Sequence, residues 1–234
     1  MKETFTTRTE LLLGKEAILK LARARVAVIG LGGVGSYVAE ALGRAGIGYM
    51  ELVDHDCVFP SNINRQLLAL HSTLGQPKVE VMAGRLRDIN PEVVVVPRRE
   101  WYTPETGHLF VRQDLDCLVD AIDSVSDKVD LLERALRSGV KIFSSMGTGN
   151  RLDPTALRVA DISATRGCPL ARAVRRGLRR RGIEQGITVV YSIEPPHKIA
   201  GEGRQPPGSI SFVPAAAGLI LASLVVRYLL VLST

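Results

Sequence analysis

The sequence predicts an α/β fold: a Rossmann-like, mainly parallel sheet with helices on both faces, followed by a C-terminal extension with strands, a basic helix and an apolar helix. Three observations predict it. Residues Val26–Ser36 read VAVIGLGGVGS, an apolar run that meets a glycine-rich turn and opens into helical spacing, as at the start of a nucleotide-binding crossover. Short apolar runs then alternate with helical stretches as far as Ser145, and alternation with short links makes strands parallel through right-handed crossovers. With 46% hydrophobic residues in 234, the chain can bury one substantial core.

Glu10–Ala24 carries Leu12, Leu13, Ala17, Leu21 and Ala24 at helical spacing and reads as one helix. Val26–Gly30 is the first strand, and Val34–Ala45 a helix stopped by Gly46 and Gly48. Tyr49–Val53 is the second strand, and His55–Arg65 a polar loop containing Pro60. Pro77–Ile89 is a helix with proline at a first-turn position. Val93–Val96 reads as a strand, Glu105–Arg112 as a short helix, Cys117–Asp120 as a strand, Ser126–Ser138 as a helix and Val140–Ser144 as a strand.

Beyond Ser145 the pattern changes. Met146–Asn150 is a flexible turn, Leu157–Ile162 and Thr188–Ser192 read as strands, and Pro169–Arg181 as an arginine-rich helix between them. Glu194–Gly208 is a proline- and glycine-rich loop. Ser209–Leu232 is strongly apolar, but its charge-free part ends at Val226 before Arg227, short of the roughly 20 residues of a membrane span. A buried helix is expected; an anchor through 212–232 is the alternative if Arg227 snorkels. Residues 1–150 then form a nucleotide-binding core and residues 151–234 its extension.

The net charge of +6 is concentrated in Arg166, Arg172, Arg175, Arg176, Arg179, Arg180 and Arg181. That density attracts polyanions, though a solvated helix face has the same look. Cys57, Cys117 and Cys168 include no CxxC pair, which argues against a four-thiolate zinc site. Few, scattered cysteines and no signal-peptide pattern suit a reducing cytoplasm.

Gly30, Gly32, Gly33 and Gly35 let the backbone approach a phosphate at a helix N-terminus. Asp54, about twenty residues on, has the place of a ribose ligand. Four features make the nucleotide a reactant rather than a redox cofactor. Asp56 stands two residues past Asp54, able to orient a metal or a basic neighbour. Ser61–Gln66 brings the amides of Asn62 and Gln66 and the guanidinium of Arg65, a planar fork for phosphate oxygens. Lys78 opens a helix where a cation opposes the dipole, a location that costs stability unless an anion such as phosphate arrives; an exposed lysine that frays the turn is the alternative. Asp123 follows an apolar strand and suits Mg²⁺, while Asp120 braces the strand end. Together they suit ATP: attack on the α-phosphate by a carboxylate, departure of pyrophosphate, and an acyl-adenylate. A nicotinamide-dependent oxidoreductase would leave Arg65, Lys78 and Asp123 idle, and a membrane-tethered nucleotide-binding module would need none of this chemistry.

The stretches GLGGVGS, VDHDCV, SNINRQ, GQPK and DAIDS resemble the ubiquitin-activating-enzyme-like adenylating proteins from about Phe5 to Gly149. The resemblance implies ATP contacts from Gly32, Asp54, Asn62, Arg65 and Lys78, a Mg²⁺-linked role for Asp123, a homodimer, and Arg8 reaching the nucleotide of the neighbouring subunit. RTELLLGKEA, DAIDSVSDK and GSISFVPAAAGLILA resemble one branch of these proteins, the tRNA threonylcarbamoyladenosine dehydratases, over nearly the whole chain. That implies a single ThiF-like adenylating domain, 1–234, whose extension faces tRNA. ATP would activate the threonyl carboxylate, an atom of the same ureido side chain would close a ring, and AMP would leave. Arg172, Arg175, Arg176, Arg179 and Arg180 would grip tRNA phosphates. Sulfur or redox partner proteins would be further partners. Adenylation of the C-terminal glycine of a ubiquitin-like sulfur carrier is the alternative, but its activators often carry paired CxxC zinc ligands. Cys168 is the one tempting thioester acceptor, or else an incidental thiol.

Overall fold

The computed structural model describes residues 3–198 and 207–232. Seven strands, β1 (Arg25–Ile29), β2 (Tyr49–Val53), β3 (Val94–Arg98), β4 (Cys117–Asp120), β5 (Lys141–Ser145), β6 (Leu157–Asp161) and β7 (Thr188–Ser192), form one sheet in the order β3-β2-β1-β4-β5-β7-β6. Every neighbouring pair is parallel except β6 with β7. Val26 registers with Met50 on one side and Cys117 on the other. The chain therefore leaves β1 in both directions, and the carboxyl ends of β1 and β4 flank the switch point where such sheets bind ligands.

Alternation along β1 sorts the core. Val26 and Val28 face a cluster built on α2 (Lys15–Arg23), α3 (Gly35–Ala45), α4 (Lys78–Ile89) and α7 (Phe212–Leu230), through Leu21, Val38, Leu42, Met82, Leu86, Leu221 and Val225. Ala27 and Ile29 face the other, with α5 (Val125–Arg137) and α6 (Pro169–Arg179) contributing Leu132, Ala135, Val174 and Leu178. Burial on both faces is why the strands read as continuous apolar runs.

The helix expected over Glu10–Ala24 is broken. Gly14 takes a φ of 84°, a left-handed value natural only to glycine, and separates α1 (Thr7–Leu13) from α2. The short helix expected over Glu105–Arg112 is a single 3-10 turn, Gly107–Leu109. There Gly107 is pressed so closely on Tyr102 and Arg134 that a Cβ would lie 2.6 Å from each, so a tertiary contact shapes the segment. The basic helix ends at Arg179, and Arg181 turns away to bond the Glu133 carboxylate.

α7 is apolar and long enough, by composition, to cross a membrane. Here half of that span is buried within the protein. Its small residues serve a close helix crossing: a Cβ on Gly218 would come within 2.6 Å of the Val34 carbonyl on entry to α3.

Glu40 on α3 is buried beneath two guanidinium groups, with Arg44 Nε at 2.7 Å and Arg85 Nε at 2.6 Å. Burial pushes its carboxyl up, but the Arg85 and Arg44 bonds prevail and hold it below the usual glutamate range. A depressed folded value stabilises the protein in full above the ordinary glutamate value, about 4.3, and the contribution is lost as pH falls through the folded value. The stability gap between the native protein and Glu40→Gln should therefore narrow as urea titrations are taken from about pH 6 to about pH 3.

Candidate active site

A cavity of about 900 Å³ opens over the carboxyl ends of β1, β2, β4 and β5. Its floor is the glycine turn. A Cβ on Gly35 would fall 1.8 Å from the Gly30 carbonyl oxygen, so only glycine lets the start of α3 sit against the end of β1. This close approach presents the α3 N-terminus to the cavity as an anion site. Gly35→Ala should accordingly lose ATP binding by at least about tenfold in equilibrium dialysis.

Asp54 is fastened beneath that turn. Its Oδ2 accepts from the Leu31 N–H at 2.7 Å and its Oδ1 from the Asp56 N–H at 2.9 Å. Lys78 corrects the expectation of a cation waiting for an anion. It is 4% exposed, and its Nζ lies 2.7 Å from Asp56 Oδ2 and 3.9 Å from Asp54 Oδ1. The anion that offsets the helix dipole is Asp56, so the fraying alternative fails too. Asp54, His55 and Asp56 have ligand atoms within 4.8 Å of one another. The Lys78 ammonium and His55, at 3.0 Å from Asp56 Oδ1, engage the Asp56 carboxylate, so it has the basic neighbour expected of it.

Arg65 also lines the cavity, with its Cγ 3.3 Å from the place of a Gly33 Cβ. Its Nη1 donates to the Ser61 carbonyl at 2.8 Å and to Asn64 Oδ1 at 2.9 Å. Both are neutral acceptors, so the guanidinium can exchange them for phosphate oxygens. Asn62 is buried, and its Oδ1 accepts from the Phe59 N–H at 3.0 Å, a loop brace that leaves this oxygen engaged. Gln66 is buried on the wall with Oε1 unpartnered.

Asp123 lines the cavity beyond the end of β4, exposed, and makes no hydrogen bond or ion pair among the described residues. Such a carboxylate fits a Mg²⁺ that keeps most of its waters and meets phosphate oxygens. Asp120 braces the strand end below it: fully buried, it takes Lys128 Nζ at 2.6 Å and the Ser144 hydroxyl at 2.5 Å, and its other oxygen accepts from the Ile122 N–H at 3.2 Å. Arg8 is exposed on α1 and does not line this cavity within one chain.

The head of α6 enters the wall through Cys168, Pro169 and Leu170. Cys168 is buried at the helix N-cap. Arg172, Arg175, Arg176, Arg179 and Arg180 line a separate shallow concavity of about 450 Å³. Arg175 is not free: its Nη1 donates to the Thr165 carbonyl at 2.6 Å and to the Thr165 hydroxyl. The other four are exposed.

Sequence reasoning missed two residues of the cavity wall and one buried beneath it. Trp101 stacks on His55 at 3.7 Å between ring centroids. Lys128 lies wholly buried under Asp120. Arg151 is 3% exposed on the cavity wall. Only their closeness to strand ends could have flagged them.

The ThiF family model matches residues 7–233. The tRNA threonylcarbamoyladenosine dehydratase of Bacillus subtilis (strain 168) is 44% identical over 96% of this chain and 94% of its own. The Escherichia coli (strain K12) protein of the same name is 40% identical over 73% of this chain and 64% of its own. The solved structure of the E. coli enzyme in complex with AMP superposes with a TM-score of 0.91 at 34% identity, covering 96% of this chain and 93% of that one; the complex with ATP gives 0.88.

Proposed function

This chain belongs to the ThiF family, and on that premise we propose that it is an ATP-dependent tRNA threonylcarbamoyladenosine dehydratase. One observation carries the reading. A single cavity gathers the glycine turn, Asp54, Arg65, Lys78 and Asp123, and opens beside the head of an arginine-bearing helix. Relatives named as dehydratases match up to 96% of the chain. The Xenopus laevis adenylyltransferase and sulfurtransferase MOCS3 matches 57% of it at 36% identity, so the sulfur-carrier alternative is less favoured.

The residues divide the work by their chemistry. The α3 N-terminus and Gly32 receive phosphate, and Asp54 addresses the ribose. Arg65 and Lys78 neutralise the phosphates, with Lys78 partly released from Asp56 as they arrive. Asp123 would hold Mg²⁺, which would supply positive charge against the phosphates and the departing pyrophosphate. The substrate carboxylate attacks the α-phosphorus, and the bond to pyrophosphate breaks. A ureido atom of the same side chain then attacks the activated carbonyl carbon, and AMP leaves with the former carboxylate oxygen. The internal nucleophile removes any need for a cysteine acceptor, which agrees with Cys168 being buried.

The reading includes a homodimer, one adenylating domain over 1–234, and a cytoplasmic location. Leu11 and Leu12 on α1, and separately Leu219 on α7, expose much of their side chains, apolar surface of the kind subunit contacts cover. Leu11 and Leu12 lie on the same short helix as Arg8, which supports its donation to a neighbouring nucleotide.

After incubation with ATP, anticodon-loop nucleosides should show the threonylcarbamoyl nucleoside lighter by one water in the mass spectrum. No mass change would remove the reading. Charge reversal at Arg176 and Arg179, both exposed, should raise the KM for tRNA and lower the salt slope of binding by about 2, with ATP affinity unchanged. An unaltered salt slope would take α6 out of the tRNA surface.

A further inference from the structure

The cavity wall carries a buried guanidinium whose Nε and Nη1 no described residue bonds. Arg151 is 3% exposed, and its Nε and Nη1 are buried with no hydrogen-bond partner among the described residues. Beside it, Asn150 Oδ1 is also buried and unpartnered. The only other such side-chain atoms among the described residues are Gln66 Oε1, on the same cavity, and Arg134 Nε, outside it. Burying a guanidinium without acceptors is strongly unfavourable, and folded proteins rarely keep one without a reason. Lys78 on the same wall is satisfied by Asp56, and Arg65 by its own loop.

The turn that carries the pair is firmly placed. The Asn150 N–H donates to the Gly208 carbonyl, and the Asn150 carbonyl accepts from the His197 N–H, each at 2.8 Å. The N–H groups of Leu152 and Asp153 donate to the Glu194 carboxylate, which also bonds His197 Nε2 at 2.9 Å. Asn150 takes a φ of 56°, a left-handed backbone that asparagine tolerates better than most residues. Local rigidity therefore fixes the backbone around Arg151, while no described residue bonds its Nε or Nη1.

We propose that Arg151 and Asn150 form the receptor for the substrate's acyl end: the Arg151 guanidinium takes the carboxylate, and Asn150 Oδ1 takes an N–H of the adjoining urea. The inference rests on the dehydratase reading. A carboxylate approaching a triphosphate is repelled by it, strongly so away from water. A buried guanidinium opposes that repulsion by placing a fixed positive charge beside the carboxylate. The asparagine oxygen, an acceptor, matches the donor beside that carboxylate. When one carboxylate oxygen becomes the bridge to phosphorus and pyrophosphate departs, the acyl group loses its charge and the guanidinium loosens its hold. Arg151 thus binds the ground state, and its loss belongs in KM more than in kcat.

The test compares Arg151→Met and Arg151→Lys with the native protein in three measurements: steady-state kinetics on threonylcarbamoyl-modified tRNA, equilibrium dialysis of ATP, and thermal unfolding of the free protein. Arg151→Met should raise the tRNA KM about tenfold to a hundredfold with unchanged ATP affinity. Its melting temperature should equal or exceed the native value, because an unpaired buried charge is gone. Arg151→Lys should recover part of the KM. A lower melting temperature for Arg151→Met makes the arginine structural and overturns the proposal, whatever the KM does. Weakened ATP binding assigns it to the triphosphate, and an unchanged KM leaves it no substrate; either result also overturns it. A native protein that forms no AMP with modified tRNA defeats the dehydratase reading itself, and the carboxylate assignment with it. That outcome is told apart because it appears before any substitution is made.

Discussion

Lys128→Ala should lower the stability of the protein by about 3–5 kcal/mol, read as a fall in the denaturation midpoint. Lys128 and Asp120 are both fully buried, 2.6 Å apart. The lysine Nζ also donates to the Ser145 carbonyl at 3.0 Å, so one ammonium ties the end of β4 to the end of β5. Truncation leaves the Asp120 carboxylate in the core with only the Ser144 hydroxyl and the Ile122 N–H to hold it. The cost comes from that stranded charge more than from the lost bond. The double change Lys128→Met with Asp120→Leu should consequently be more stable than Lys128→Ala, since it strands nothing. A loss below about 1 kcal/mol for Lys128→Ala would mean that water reaches the pair and that the ends of β4 and β5 do not seal it.

Asp123→Ala should reduce adenylation by about a thousandfold or more while leaving stability within about 0.5 kcal/mol of native. The two halves of the prediction have separate grounds. Asp123 is exposed and bonds nothing among the described residues, so the fold does not use it. It shares a cavity with the glycine turn and with the cations Arg65, Lys78 and Arg151, and the loss of activity is expected on the proposal that its carboxylate holds Mg²⁺. Pyrophosphate release with modified tRNA, followed beside thermal unfolding, measures both. Near-native activity would take Asp123 out of the site; a large drop in melting temperature would make it a structural residue.

Much of the fold is legible in the chain. β2, β4 and β7 have the bounds that their apolar runs suggest, because parallel strands buried on both faces leave continuous hydrophobic stretches ended by turn residues. The helix break at Gly14 is not legible, since an isolated glycine within helical spacing is compatible with continuation. The antiparallel setting of β6 is hidden as well: the run Leu157–Ile162 says strand, and only its pairing with β7 says in which direction.

The cavity divides in the same way. The glycine turn and Asp54 announce themselves by spacing. What Lys78 does depends on Asp56, a contact made across the loop between β2 and α4, so a helix-start lysine looked unsatisfied when it is paired. Arg151 presents the reverse case. Within the sequence it is one arginine near the end of a turn, and its character lies in buried nitrogens without partners among the described residues, which only three dimensions reveal. The arginines of α6 were legible as a charge cluster, but not that Arg175 is committed to Thr165.

The most direct measurement follows an oxygen atom. Modified tRNA carrying heavy oxygen in the threonyl carboxylate is incubated with ATP and this protein, and the AMP released is weighed by mass spectrometry. Adenylation of the carboxylate predicts one heavy oxygen in every AMP that leaves. Unlabelled AMP beside a dehydrated nucleoside would contradict the carboxylate's attack on the α-phosphate and, with it, the chemistry assigned to this cavity.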